Sequence, residues 1–424
     1  MRRTSALASA AVAARSASSS SRLLVLNAGS STLKYKMFGL HDGGVEAPIF
    51  SGLVELSNAS SPDGRIVHQR VDSQEKQEVQ LQLPTHRAAL EQVVDRFFGG
   101  ATDGIQAIGH RVVHGGESFH DATRIDARVL EAVNEHTCLA PLHNPGNLLG
   151  IAVATEVFGE QTPQVAVFDT AYHATMPPKA YIYGLPYHLY EQNQVRRYGF
   201  HGTSHQYVAK QAAKRINKPL EKSNFITCHL GNGSSMAAIR NGKCIDTTMG
   251  MTPLEGLLMG TRSGDVDPAL HAFLTTQLKM TIEQVDKMLN KQSGLLGICG
   301  DSDIRKIQDR IREKNDPIAN LAMDVYAHRV RKYLGAYLLE LGGSLDALVF
   351  TAGIGESSAM IRERVCRNLD FLGIELDEEK NAVSMMGEGH VEIQSANSRI
   401  KVLVIPTDEE RSIAEQTYDI ALRQ

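Results

Sequence analysis

Short apolar runs punctuated by glycine and hydroxyl residues set the rhythm of this chain. The run Phe225 to Cys228 leads into His229-Leu230-Gly231-Asn232-Gly233-Ser-Ser235, and a second run, Met236 to Ile239, follows at once. That pattern predicts strand, tight glycine turn, strand. Glycines on both sides of Asn232 let the backbone approach a ligand and aim its N–H groups at an anion, and two hydroxyls come next. An Asn-Gly hairpin without a ligand has the same local signature. An echo earlier in the chain favours the ligand reading. Leu24-Val-Leu-Asn27-Ala-Gly29-Ser-Ser31 repeats the apolar run, the glycine and the paired serines, and Leu33 to Phe38 supplies the following strand. Two related halves are expected, each presenting a glycine turn to a common cleft.

The remaining apolar pattern alternates strands and helices, which predicts an α/β fold. Strands are expected near Ile49–Leu56, Ile66–Val71, Ile105–Gly109, from Val165, over Lys243–Met249 and Leu345–Thr351, and from Val402. Helical spacing predicts helices over Thr85–Phe98, Leu148–Phe158, Ile282–Leu289 and Pro317–Leu341, and a helix starting at Asp265. Several strands end in chemistry-bearing residues, as α/β sheets place ligands at their carboxyl edges. Ile105–Gly109 delivers His110-Arg111-Val-Val113-His-Gly-Gly-Glu117, and the strand from Val165 ends at Asp169. His201 stands in a glycine-flanked turn and Arg262 closes a glycine-rich segment. Arg111 and Arg262 are each a planar fork able to grip an anion, although an arginine beside a glycine turn is also a common surface residue. Gly353-Ile354-Gly355-Glu356-Ser357 lacks the third glycine of a dinucleotide fingerprint, yet a glycine turn opening a helix suffices for a nucleotide. Asp303 reads equally as a solvated helix cap. Thr407 and Glu410 have capping-box spacing, which leaves Glu409 free for a site.

Composition narrows the function. The 424 residues exceed one ordinary core and fit two domains. A formal net charge of −4 and the lack of a basic run argue against nucleic-acid binding, and no run has the apolar length of a membrane span. The five scattered cysteines, without C-x-x-C, read as thiols of a reducing compartment. Residues 1–22 differ in kind. They are rich in Ala and Ser, carry Arg2, Arg3, Arg15 and Arg22, and precede any acidic residue. That composition is expected of an organellar transit peptide, mitochondrial first because arginines follow Met1 directly, with a plastid as the alternative.

Eight stretches occur in one order: Asn27-Ala-Gly-Ser-Ser-Thr-Leu-Lys34, His110-Arg-Val-Val-His-Gly-Gly-Glu, Phe168-Asp-Thr-Ala-Tyr-His, Arg197-Tyr-Gly-Phe-His-Gly-Thr-Ser-His, His229-Leu-Gly-Asn-Gly-Ser-Ser, Gly260-Thr-Arg-Ser-Gly-Asp, Thr351-Ala-Gly-Ile-Gly-Glu and Pro406-Thr-Asp-Glu-Glu. Together they resemble the acetate kinase family, within the superfamily of acetate and sugar kinases, chaperones and actin. The resemblance runs from about Leu23 to the end of the chain. It implies reversible phosphoryl transfer between ATP and acetate, giving acetyl phosphate and ADP with Mg2+, and a homodimer. It also implies two duplicated actin/hexokinase-like (ribonuclease H-like) domains: 23–169, with the helix of 408–424 packing back on it, and 170–407 carrying the nucleotide.

Carried onto matching positions, the resemblance makes Asp169, His201 and Arg262 catalytic and gives Arg111 the carboxylate. Val113, Leu142, Phe200 and Pro253 would form the apolar pocket for the methyl group. Lys34, His229 to Gly233, Asp303, Ile304, Arg305 and Gly353 to Ser357 would hold the nucleotide, and Asn27 and Glu409 would serve the magnesium site. Gly146, Ser357 and Asp408 depart from the family's usual proline and asparagines. Within the family, a propionate or butyrate kinase is the near alternative. A non-catalytic module that closes on ATP is the alternative of another class.

Overall fold

The computed structural model describes residues 21–423 apart from 59–60, 72, 74, 100–101, 103, 142 and 383–390. The expected leader, residues 1–22, therefore lies almost wholly outside the described residues, and Leu142 lies outside them too. By contact the chain divides into two units: one runs to Ala171 and includes Glu409–Gln424, and the other is Tyr172–Asp408.

The first unit is built on eight strands: β1 (Arg22–Ala28), β2 (Thr32–His41), β3 (Gly44–Glu55), β4 (Gly64–Arg70), β5 (Lys76–Leu81), β6 (Ile105–Val112), β7 (Thr123–Arg124) and β8 (Gln164–Phe168). Their order across the sheet is β5-β4-β3-β2-β1-β6-β8-β7. The β1–β2 hairpin is antiparallel, whereas β6 runs parallel to both β1 and β8. Helices α1 (His86–Phe97) and α3 (Asn144–Phe158) help cover one face, and α2 (Ala127–Glu135) precedes α3 in the chain. Thr85 caps α1 by accepting from the Ala88 N–H, a reason for the helix to start where its apolar spacing starts. The C-terminal helix α9 (Glu409–Ala421) lies on the other face, where Ile413 and Ala414 pack with Leu23, Val25, Val165 and Val167. Gly109 makes that approach possible, since a Cβ there would stand 2.3 Å from Thr417 Oγ1. Arg411 fastens the helix to the Val45 and Glu46 carbonyls at 2.8 and 2.6 Å.

The second unit repeats the plan. Strands β9 (Phe225–Leu230), β10 (Ser234–Arg240), β11 (Lys243–Thr247), β12 (Ala347–Thr351), β13 (Val391–Glu392) and β14 (Lys401–Val404) are ordered β11-β10-β9-β12-β14-β13. β9 and β10 form the antiparallel hairpin and β12 runs parallel to β9 and β14, as β6 does to β1 and β8. The expected echo of the two glycine turns is thus a duplication of the sheet. The chain also forms α4 (Gly202–Arg215), α5 (Ile304–Lys314), α6 (Pro317–Glu340), α7 (Ala352–Ser357) and α8 (Ala359–Cys366).

Two local expectations are corrected. No helix starts at Asp265; it begins at Leu270, because Asp265 is committed to a loop network. Its carboxylate accepts from the Gly256 N–H and the Tyr333 hydroxyl, both at 2.7 Å, and pairs with Arg329 at 3.1 Å. Thr407 is not the cap of α9. Its hydroxyl is bonded to Ser204 Oγ and its N–H donates to Glu356 Oε1.

Candidate active site

In the first unit, the expected residues meet at the carboxyl ends of the central strands. Arg111 is the last residue but one of β6 and Asp169 follows β8, while Glu409 is the first residue of α9. Arg111 donates from Nε to Asp169 Oδ1 at 3.1 Å and from Nη2 to Oδ2 at 2.5 Å. This is the bidentate fork of a guanidinium on a carboxylate, with the Asp169 side chain only 2% exposed. Burial works against the charge of Arg111, but the carboxylates of Asp169 and Glu409 outweigh it and raise its pKa. Glu409 lies 3.9 Å from Arg111. Its carboxyl is pushed up to about 7 by burial; Arg111 pulls the other way, and the carboxylates of Asp169 and Glu410 add to the rise. Asn27 faces Lys34 directly in the β1–β2 register, which places both on one face of the hairpin, and Lys34 is close enough to act on Glu409.

Val113 is buried in the loop after β6, and two asparagines fix that loop. Asn147 accepts from the Val113 N–H at 3.0 Å and donates to the Ala28 carbonyl at 2.8 Å. Asn144 brackets His114 through both its N–H and its carbonyl. Asn144 and Asn147 lie outside the eight motifs; an asparagine repeated after three residues is the signal that could have found them.

In the second unit, one pocket of about 670 Å³, a size suited to a small-molecule ligand, gathers three stretches far apart in sequence: Gly231 and Asn232, Asp303 to Arg305, and Gly353, Ile354 and Ser357. Gln308, Asp309 and Arg312 on α5 also line it, and no motif announced them. Asp303 does cap α5, accepting from the Arg305 N–H, and the Arg305 side chain beside it holds its carboxyl down at about 2. The cap and pocket readings are both true of it. His229, Leu230, Gly233, Gly355 and Glu356 are not on the lining. Leu230 is wholly buried in the core, and the Gly355 and Glu356 carbonyls accept from the buried Arg362 at 2.9 and 2.8 Å. Tyr326 on α6 braces the glycine turn through Ser234, whose hydroxyl also bonds the Gly231 carbonyl.

Arg262, His201 and Gly233 converge: a methyl group placed on Gly233 would stand 3.5 Å from both His201 Nε2 and Arg262 Nη1. Arg262 is held by the Pro253 carbonyl at 3.4 Å and the Met259 sulfur at 3.9 Å, and among the described residues no carboxylate pairs with it. Burial lowers its pKa. His201 sits at φ 56° directly before α4, its ring stacked 4.1 Å from His229 and its Nδ1 bonded to Ser235 Oγ. Phe200 is buried beside it in the chain. Gly260 lies against Asn232, where any Cβ would stand 2.1 Å from Oδ1.

Comparison with known proteins decides the family. Residues 22–415 match the Acetokinase family. The chain belongs to that family. An acetate kinase of Clostridium novyi is 47% identical over 406 residues, spanning 94% of this chain and 98% of that protein. Another, from Methanosarcina barkeri, is 48% identical over 405 residues, spanning 94% and 97%. Among solved structures, the acetate kinase of Porphyromonas gingivalis superposes with a TM-score of 0.86 at 42% identity, covering 94% of this chain and 99% of that one. A propionate kinase of Francisella tularensis gives 0.86 at 41%, covering 94% and 100%. Membership in the acetokinase family brings with it a phosphotransferase whose acceptor is a carboxyl group.

Proposed function

We propose that this chain is an acetate kinase, transferring the terminal phosphoryl of ATP to acetate and back. The observation that carries the reading is Arg262. A half-buried guanidinium that has, among the described residues, only a carbonyl and a thioether as hydrogen-bond partners, beside a glycine turn and His201 Nε2, is a cation waiting for an anion. Phosphoryl transfer asks a protein for charge neutralisation and alignment more than for covalent work. Arg262 and His201 would neutralise the moving phosphoryl, Asn232 and its glycines would hold the phosphates, and the pocket of Asp303, Arg305 and Gly353 would take the nucleoside.

Arg111 would grip the acetate carboxylate. Its fork leaves the Nη1 donors for an external anion, because Nε and Nη2 serve Asp169. A carboxylate substrate is ionised at neutral pH and needs no base. With both oxygens engaged by Arg111, Asp169 acts as the orienter of that arginine. Val113, buried in the loop after β6, would supply apolar surface for the methyl group.

The first unit also has a donor set that fits a magnesium ion. Glu409, raised by burial and by its carboxylate neighbours, is a site that a dication would relieve, and Asn27 adds a neutral oxygen. When bound, magnesium supplies charge neutralisation at the phosphate oxygens.

The test is hydroxamate trapping of acyl phosphate with ATP and magnesium, offering acetate, propionate, butyrate and glucose in parallel. Acetate is expected to give the highest kcat/KM, with propionate within about a hundredfold because one methylene in an apolar pocket is worth a few kcal/mol. Failure to trap acyl phosphate with any acid would remove the reading. A homodimer and a mitochondrial address complete the proposal. The address is supported by the composition of residues 1–22. Full-length protein fused to a fluorophore is expected in mitochondria and the form lacking residues 1–22 in the cytosol; identical distributions would sink the address.

A further inference from the structure

His201 is the end of a chain of hydrogen bonds that no sequence motif announces. Thr227 Oγ1 and His205 Nδ1 are 2.7 Å apart, His205 Nε2 and Ser235 Oγ 2.8 Å, and Ser235 Oγ and His201 Nδ1 2.9 Å. Thr227, His205 and Ser235 are completely buried. Burial, reinforced by the neighbouring His173 and His229, lowers the pKa of His205 well below its ordinary value, so its ring is neutral and carries one proton.

The direction of the chain follows from counting protons. A neutral imidazole has one N–H and one bare nitrogen, and each hydroxyl has a single proton. If Thr227 donates to His205 Nδ1, then His205 donates from Nε2 to Ser235, and Ser235 donates to His201 Nδ1. Every proton has an acceptor, and the proton of a neutral His201 falls on Nε2. In the opposite direction His201 donates from Nδ1, Ser235 donates to His205 Nε2, and His205 donates from Nδ1 to Thr227. The Thr227 proton then has no acceptor, since His205 is, among the described residues, the one partner its hydroxyl has. A buried donor without an acceptor costs about 1–3 kcal/mol, so the first direction prevails. A second proton on His201 would force the unfavourable direction on the whole chain. In its own unit His229 is stacked on His201, His205 stands behind Ser235 and Arg262 lies across Gly233.

We propose that Thr227, His205 and Ser235 act as positioning residues that hold His201 neutral with its proton on Nε2, making it a fixed hydrogen-bond donor to the phosphoryl oxygens. Nε2, with Cε1 beside it, is the ring nitrogen that comes to 3.5 Å from the point on Gly233 where Arg262 also converges. His201 is on this account neither a general acid nor a general base. Its proton stays on the ring throughout, and the Arg262 guanidinium carries the positive charge. The inference rests on the reading of His201 as a phosphoryl-facing residue, but the tautomer is measurable without turnover.

The experiment is nitrogen NMR of the nucleotide-free enzyme with ring-labelled histidine, the His201 signals being assigned by their loss in His201→Gln. Nε2 is expected to carry the proton and Nδ1 to be bare. Thr227→Val keeps the shape and removes the hydroxyl; it is expected to give a mixture of tautomers and a kcat about tenfold lower, the equivalent of one weak hydrogen bond. KM for ATP and acetate should stay as they are, and Thr227→Ser should restore the wild-type spectrum and rate. A proton on Nδ1 in the wild-type enzyme would overturn the proposal without recourse to any variant. So would a Thr227→Val enzyme that keeps the wild-type tautomer or the wild-type kcat. An enzyme with the expected tautomer that phosphorylates no acid would instead sink the proposed function and leave the tautomer standing.

Discussion

Arg262→Ala is expected to lower kcat for acetyl phosphate formation about 10³-fold, the scale on which a transition-state cation acts in phosphoryl transfer. The melting temperature should move by no more than about 2 °C. Both halves follow from one feature. Among the described residues Arg262 has no carboxylate partner, and its contacts are a long bond to the Pro253 carbonyl and a contact with the Met259 sulfur. Removing it orphans no buried charge. The guanidinium is itself destabilised by burial, as the lowered pKa records, so its truncation withdraws a cost along with the two contacts. A kcat within tenfold of wild type would remove Arg262 from the chemistry. A large fall in melting temperature would show that it holds the fold.

Arg111→Ala is expected to behave differently, although sequence reading treats the two arginines alike. Turnover should fall by orders of magnitude, but stability should fall with it, by about 3–5 kcal/mol, the usual cost of breaking a buried ion pair from one side. The reason is Asp169. Its side chain is 2% exposed and both its oxygens take protons from Arg111, so alanine leaves a buried carboxylate with its principal partner gone. The nearby carboxylate of Glu409 makes matters worse. Replacing both residues, Arg111→Ala with Asp169→Ala, should recover most of the lost stability and none of the activity. Urea unfolding of the two single variants and the double variant measures this directly. A double variant no more stable than Arg111→Ala would show that the pair is not coupled as the geometry requires.

The elements that were legible from the chain are those whose signal is local. Phe225 to Cys228 and Leu24 to Leu26 are apolar runs that stop at glycine turns, and they fold as the paired strands that they predict. The helix of Pro317–Glu340 follows from its proline start and its apolar spacing, with Asp316 accepting from the N–H groups of Ile318 and Ala319. β5 escaped notice because Lys76–Leu81 is an outer strand at the edge of its sheet and almost wholly exposed, with lysine and glutamate where alternation would have shown. Asp265 was misread for a related reason. An acidic residue before an apolar run looks like a helix start, and only the approach of Tyr333 and Arg329, 68 and 64 residues away, turns it into the hub of a loop.

The sequence by itself determined the α/β class, the repeated glycine turns, the family and most of the residues that line the pocket of the second unit. Each of these is written in neighbouring residues, either as periodicity or as contiguous motifs. Only the tertiary structure decided which polar groups are already spoken for. It spends Asp169 on Arg111 across 58 residues and leaves Arg262 without a carboxylate, and it joins Thr227, His205, Ser235 and His201 into one chain. It also withdraws Leu230, Gly355 and Glu356 from a pocket that their motifs share. The physical reason is that hydrophobic periodicity fixes which face of an element is buried. The partner of a buried hydrogen-bonding group is instead fixed by the packing of elements distant in sequence.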